Sequence, residues 1–240
     1  MSGIRTSRRA PALWAGVDVG GRRKGFHAAV VDGRRLYAGP RRLAAPRDVA
    51  AWLVELRPRL VGVDAPRVLA DDRTRFESER RLAHEVCHLR YTPTREALER
   101  QRTSHAPRYY EWIEHGLELY VALSGAGLAA VECFPTAAWT RWAGPRNGVS
   151  RARWSARALR GLRLRGVPAT LDQDERDAIG AAMTAWAHGH RRTELFGDIV
   201  VPLSRGRRIE AAASNRSRRK SDDDRPTTTR AIHGRAGADR

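Results

Sequence analysis

The sequence predicts an α/β protein, a mixed β-sheet with helices on both faces, and three observations carry that expectation. Near the start, short apolar runs follow one another across glycine turns, the pattern of an antiparallel meander. Past residue 46 strand-like and helix-like segments alternate, which implies crossover connections that place helices against the sheet. Three of the apolar runs also close on a carboxylate, so the strand ends share a chemistry as well as a shape.

The elements follow in order. LWAGVDV (13–19) reads as the first strand, GGRRKG (20–25) as a turn, FHAAVVD (26–32) as the second strand and RLYAG (35–39) as the third. Pro46 opens a helix through RDVAAWLVELR, where Val49, Leu53 and Leu56 recur at helical spacing. LVGVDAP (60–66) is a strand that Pro66 ends. Two helical segments, about 76–90 and 107–123, precede the strand LAAVECFP (128–135), which Pro135 ends. An arginine-rich helical pattern covers about 150–165, a last clear helix covers 172–188, and DIVVP (198–202) is a final short strand.

Composition bounds the rest. The 240 residues are 41% hydrophobic, enough for one domain with a sizeable core. Residues 1–10 read as a flexible arm, 11–203 as the folded domain, and 204–240, rich in Ser, Arg, Asp and Thr, as a disordered basic and polar tail. The net charge is +18; the tail contributes +6 and the arm +3, which leaves +9 on the domain. That balance favours a polyanionic partner, nucleic acid above all. An arginine excess from GC-rich coding is the plainer source of the charge, since only Lys24 and Lys220 are lysines. The longest uncharged run, Leu119–Val131, is too short and broken to span a bilayer. Cys87 and Cys133 form no CxxC pair, which fits a reducing cytoplasmic setting.

The carboxylates are the chemical signal. Gly16-Val17-Asp18 and Gly62-Val63-Asp64 repeat at the ends of two strands, and Glu132 follows Val131 in a third. Burying an unpaired carboxylate is costly, so three at strand ends suggest convergence around a cation. Hard oxygen ligands of this kind suit Mg2+ or Mn2+. In LDQDERDAIGAAMTAWAHG, Asp174 and Asp177 are three residues apart and share a helical face. Ala178, Ala181, Ala182 and Ala185 are small enough to let that helix approach the sheet closely. Plainer roles exist for each. Asp18 and Asp64 fit turn initiation, Glu132 can pair with an arginine, and Asp172, Asp174 and Glu175 complement a helix N-terminus.

GVDVGGRRKG, VGVDAP, VECFP, DERDAIGAAMTA and GDIVVP, in that order, resemble the family called Domain of Unknown Function 429, a family of predicted RNase H-like nucleases. The likeness runs over most of residues 13–203. It implies an RNase H-like fold, a five-stranded mixed sheet in the order 3-2-1-4-5 with helices on both sides. It implies phosphodiester hydrolysis of a nucleic acid with two divalent cations, Mg2+ or Mn2+. The implied catalytic and metal-binding residues are Asp18, Asp64, Glu132 and Asp177, with Asp174 as a further ligand. Lys24 falls at the family's Lys-Gly position, which implies a phosphate contact; an ordinary surface lysine is the other reading. ESERRLAHEVCHLRYTP (77–93) departs from the family's pattern.

Three rivals remain. Asp18-Val19-Gly20-Gly21 resembles the first phosphate loop of actin and sugar-kinase phosphotransferases, but no second such loop follows. A non-catalytic nucleic-acid-binding protein would use the basic domain, the arginine-rich segment 151–165 and Trp139, Trp142 and Trp154 as stacking surfaces. HEVCH (84–88) fits the H-E-x-x-H pattern of a helical zinc site. Its metzincin continuation fails, because Tyr91 and Thr94 stand where Gly and His belong, so its expected role is structural or at the rim of a groove.

Overall fold

In the computed structural model the described residues are 11–104 and 108–204. The expected flexible arm (1–10), and all but Ser204 of the expected disordered tail, lie outside them. The elements are β1 (Trp14–Val19), β2 (Phe26–Val31), β3 (Leu36–Leu43), α1 (Pro46–Leu56), β4 (Val61–Asp64), α2 (Arg73–Glu85), α3 (Arg95–Arg102), α4 (Glu111–Gly125), β5 (Ala130–Cys133), α5 (Pro135–Ala143), α6 (Arg151–Leu162), α7 (Gln173–Gly189), β6 (Thr193–Phe196) and β7 (Ile199–Pro202).

Three of these were not expected from sequence, and each has a reason. In α3 only Leu98 is buried, so the segment has no apolar stripe; the Thr94 hydroxyl starts it by accepting the Ala97 N–H. In α5, Pro135 ends a strand and also begins a helix, at a position where its missing N–H is not needed. β6 is four residues long, with Leu195 exposed and Phe196 buried, too short to show a period.

All strands join one sheet in the order β3-β2-β1-β4-β5-β7-β6. Its first five positions reproduce the expected order 3-2-1-4-5. The hairpin β6–β7 extends it to seven strands, which corrects the five-stranded expectation. β1, β2 and β3 pair antiparallel, while β1, β4, β5 and β7 run parallel. The carboxyl ends of β1, β4 and β5 therefore open on one edge.

The two faces of the sheet have different tasks. Ala15, Val17, Val19, Ala28, Val30, Val61 and Val63 pack against α1 and α4 through Val49, Leu53, Leu119 and Leu123. The alternate residues of β1 and β2, Trp14, Ala29 and Val31, meet α7 through Ala178, Ile179, Ala182 and Met183. Gly16 and Gly62 belong to this second face. A Cβ on Gly16 would stand 2.0 Å from the Ala182 backbone nitrogen, and one on Gly62 would stand 2.5 Å from the Ala181 carbonyl oxygen. With glycine on the strands and alanine on the helix, α7 lies directly on the backbones of β1 and β4. Strand alternation then puts the next residue on that face, Asp18 or Asp64, beside the N-terminal part of α7.

Candidate functional site

Asp18 and Asp64 are paired positions on parallel neighbours β1 and β4, so their side chains leave the same face of the sheet. They lie near enough that the charge of Asp64 acts directly on Asp18. Asp177, on the second turn of α7, is 1% exposed. Burial, then Asp64, Asp177 and Asp174, push the Asp18 carboxyl well above the usual carboxylate range, against a smaller pull from Lys24. Asp64 keeps some open surface but has protein on nearly every side, and burial followed by Asp177 likewise raises its pKa well above the ordinary value. Three carboxyl groups thus crowd a poorly solvated edge with too little positive charge among them.

Asp177 is the most firmly held of the three. Its Oδ1 accepts the Trp139 indole N–H at 2.7 Å, and its Oδ2 accepts from Arg151 at 2.8 Å. The Gln173 amide, one helical turn earlier, donates to both oxygens at 3.0 and 2.9 Å. Burial raises the Asp177 pKa, and Arg151, Trp139 and Gln173 oppose that rise. These donors anchor Asp177 on the side towards α5 and α6.

Asp174 lies one turn nearer the start of α7 and faces a different set of groups. Asp172 and Glu175 form a reciprocal cap, Asp172 accepting the Glu175 N–H at 2.8 Å and Glu175 accepting the Asp172 N–H at 2.7 Å. They have the structural role that the helix N-terminus suggested. Asp174 instead reaches the Lys24 ammonium at 2.5 Å, and its Oδ2 is 3.9 Å from His27 Nδ1. His27 is the residue paired with Asp18 across β1 and β2, on the same face. Among the described residues, ligand atoms of Asp18, His27 and Asp174 form the three-residue set that lies within 4.8 Å of one another. Asp64 and Asp177 flank that set without entering it.

Glu132 departs from the expected cluster. In sequence its Val-Glu resembles the Val-Asp of the other strands, but β5 is offset by one residue. Val63 pairs with Glu132, so Glu132 shares the face of Val63 rather than that of Asp64. There it is buried and held by Arg75 through two bonds of 2.8 and 2.5 Å, and it accepts the Arg67 N–H at 2.9 Å. Arg75 also donates to Glu79 at 3.0 Å and to Thr92 at 3.0 Å, which closes a buried network. Burial raises the Glu132 pKa and Arg75 works against it. The arginine pairing considered as the plainer role for Glu132 is the one the structure contains.

Two further expectations are corrected. HEVCH does not lie along one helix, since α2 ends at Glu85 and Val86 leaves helical geometry. His84 and His88 therefore do not share a helical face. His84 and His88 are both exposed, and His88 lines a cavity of about 430 Å³ with Asp64, Arg75, Trp112 and Arg151. Trp139 and Trp154 are buried in the core under α7 and are not open stacking surfaces. Their indole N–H groups go to Asp177 and to the Gly144 carbonyl.

The sequence reading missed His27, Arg75 and Gln173, and it named Trp139 and the segment of Arg151 only as nucleic-acid contacts, not as partners of Asp177. Only two carried a local signal. His27 breaks the apolar run FHAAVV, and Gln173 precedes Asp177 by one helical turn. The other three come from segments far away in sequence, and only packing brings them in. Among the described residues, no helix is long and apolar enough to cross a membrane.

Comparison with known proteins gives a family and two structural likenesses. The family model described as protein of unknown function (DUF429) matches residues 16–198. Among solved structures, Thermus thermophilus RuvC is 18% identical with a TM-score of 0.45, over 80% of this chain and 99% of that one. T. thermophilus RuvC in complex with a Holliday junction substrate is 15% identical with a TM-score of 0.43, over the same shares. No curated protein matches the chain.

Proposed function

The chain belongs to the DUF429 family, and we propose that it is a metal-dependent nuclease of RNase H-like type. The observation that carries this reading is the pairing of Asp18 with Asp64 at the ends of adjacent parallel strands, with Asp177 pressed beside them by α7. Open α/β sheets bind ligands beyond the carboxyl ends of their strands, which is where this cluster stands.

The residues present fit divalent cations. Asp18 and Asp64 are buried carboxyl groups whose ionised forms lack compensation, and positive charge between them would supply it. Asp18, Asp64, Asp174 and Asp177 would hold Mg2+ or Mn2+. Such ions supply an activated water and stabilise the leaving oxygen of a phosphodiester. The chain's own groups do the remaining work. Trp139, Gln173 and Arg151 fix the direction of Asp177. Arg151, about half exposed, also offers positive charge beside the cavity next to Asp64, where a phosphate of the substrate would lie. Arg75 and Glu132 brace the wall of that cavity. Lys24 has a phosphate-binding role once released from Asp174. A domain charge of about +9 draws a nucleic acid towards the site at a rate that falls with salt.

The test is cleavage by the full chain, with Mg2+ or Mn2+, across single strands, duplexes and branched junctions of DNA and RNA. Asp18→Asn and Asp64→Asn serve as controls. Cleavage stopped by EDTA and lowered about 100-fold or more in both variants is expected, given what metal ligands contribute to such reactions. Equal cleavage by wild type and variants removes this reading, and saturable ATP binding without cleavage replaces it with a phosphotransferase.

A further inference from the structure

The group around His27 points to something the carboxylates alone do not. His27 is 7% exposed, and its Nδ1 is buried without a hydrogen-bond partner. An imidazole nitrogen left in that state is costly unless something binds it. The nitrogen stands 3.9 Å from Asp174 Oδ2, and a ring nitrogen of His27 lies within 4.8 Å of carboxylate oxygens of Asp18 and Asp174. Two ligands of one ion, with bonds of about 2.0–2.2 Å, stand about 3.0–4.3 Å apart. Small side-chain rotations would close the set around one ion. Its elements are rigid: His27 is in the strand paired to β1, and Asp174 is in the first turn of the capped helix α7.

A cation already occupies part of this place. The Lys24 ammonium contacts Asp174 at 2.5 Å, and its side chain is 57% exposed, free to swing out. The loop that carries it is fixed at its base by Glu111, which accepts the Arg22 N–H, and by His115 against the Gly20 carbonyl. A cavity of about 720 Å³, lined by Lys24, His27, Arg42, Arg108 and Asp174, leads to the site from solvent.

We propose that Asp18, His27 and Asp174 form a mixed nitrogen and oxygen site for a first-row transition ion, Mn2+ in preference to Mg2+, from which the Lys24 ammonium is displaced on binding. It deepens the nuclease reading and rests on that reading's placement of the metal centre. Imidazole is a poor ligand for hard Mg2+ and a good one for transition ions, so His27 sets the preference. Asp18 then serves two neighbouring positions, this one and the one it makes with Asp64.

The experiment is Mn2+ binding to the full chain without nucleic acid, by titration and by electron spin-echo spectroscopy. Wild type is expected to show a histidine nitrogen coupled to bound Mn2+. His27→Ala should lose that coupling and at least about tenfold in Mn2+ affinity. Lys24→Met, a change on an exposed side chain, should bind Mn2+ more tightly because it removes a competing cation. Asp64→Asn should keep the nitrogen coupling. Bound Mn2+ without coupled nitrogen overturns the proposal, as does unchanged Mn2+ affinity in Lys24→Met. Nitrogen-coupled Mn2+ in a protein that cuts nothing supports this site and removes the nuclease reading alone.

Discussion

Gly16→Ala tests how the fold brings the site together. Gly16 is two residues before Asp18 on the face of β1 that α7 covers. A Cβ there would lie 2.0 Å from Ala182 N, 2.3 Å from Ala178 O and 2.6 Å from Ala181 C, all of them α7 backbone. Ordinary contact begins near 3.4 Å, so α7 must retreat by about 1.4 Å, because backbone cannot rotate away as a side chain can. Overpacking of this kind costs about 1–3 kcal/mol, a loss that leaves a typical domain folded. The same retreat carries Asp177 and Asp174 away from Asp18, and a displacement of about 1 Å at a reacting centre can cost about 100-fold in rate. Urea unfolding should therefore show a modest loss of stability, while Mn2+-dependent cleavage by the folded protein falls about 100-fold. Gly125→Ala is the control, since nothing lies within 4 Å of a Cβ there. If Gly16→Ala kept full activity and its stability within about 0.5 kcal/mol, the close approach of α7 would not be what positions the site.

Three further outcomes separate structure from chemistry. Arg75→Met leaves both Glu132 and Glu79 buried without their partner and should cost about 3–5 kcal/mol, read from urea unfolding. Glu132→Gln should lower stability with Mn2+ affinity unchanged, and a large loss of affinity would return Glu132 to the ligand set. In metal-free protein, Asp64→Asn should raise the melting temperature at neutral pH. The folded Asp64 pKa lies well above the ordinary 3.8, with burial the first cause and Asp177 the second. The unfolded chain ionises first, so this group destabilises the fold progressively as pH rises from about 4 through the raised folded value. The gain from Asp64→Asn should thus be smallest near pH 4 and grow towards neutrality; a gain independent of pH would contradict the raised pKa.

Much was legible in the residues themselves. Apolar runs, glycine turns and helical spacing are local, and they specified β1, β2, β4, α1 and α7 with small errors at the ends, while β3 runs on past the expected 39 to Leu43. The repeated Gly-Val-Asp was legible too, since strand alternation ties the glycine that admits a helix to the aspartate that follows it on the same face. α3 and α5 escaped because their helical character rests on one cap and on a proline that serves as stop and start.

The sequence alone determined the strand-end aspartates and the helix that carries Asp174 and Asp177, and the first five positions of the sheet followed from the family resemblance. Tertiary structure decided register and partners. A one-residue offset of β5 turned Glu132 to the opposite face and into the grip of Arg75, while β2 brought His27 across from Asp18. The physical reason is that a side chain's direction follows from its own strand, whereas its partners follow from the pairing of distant segments. A shift of one residue in that pairing exchanges the two faces of a strand.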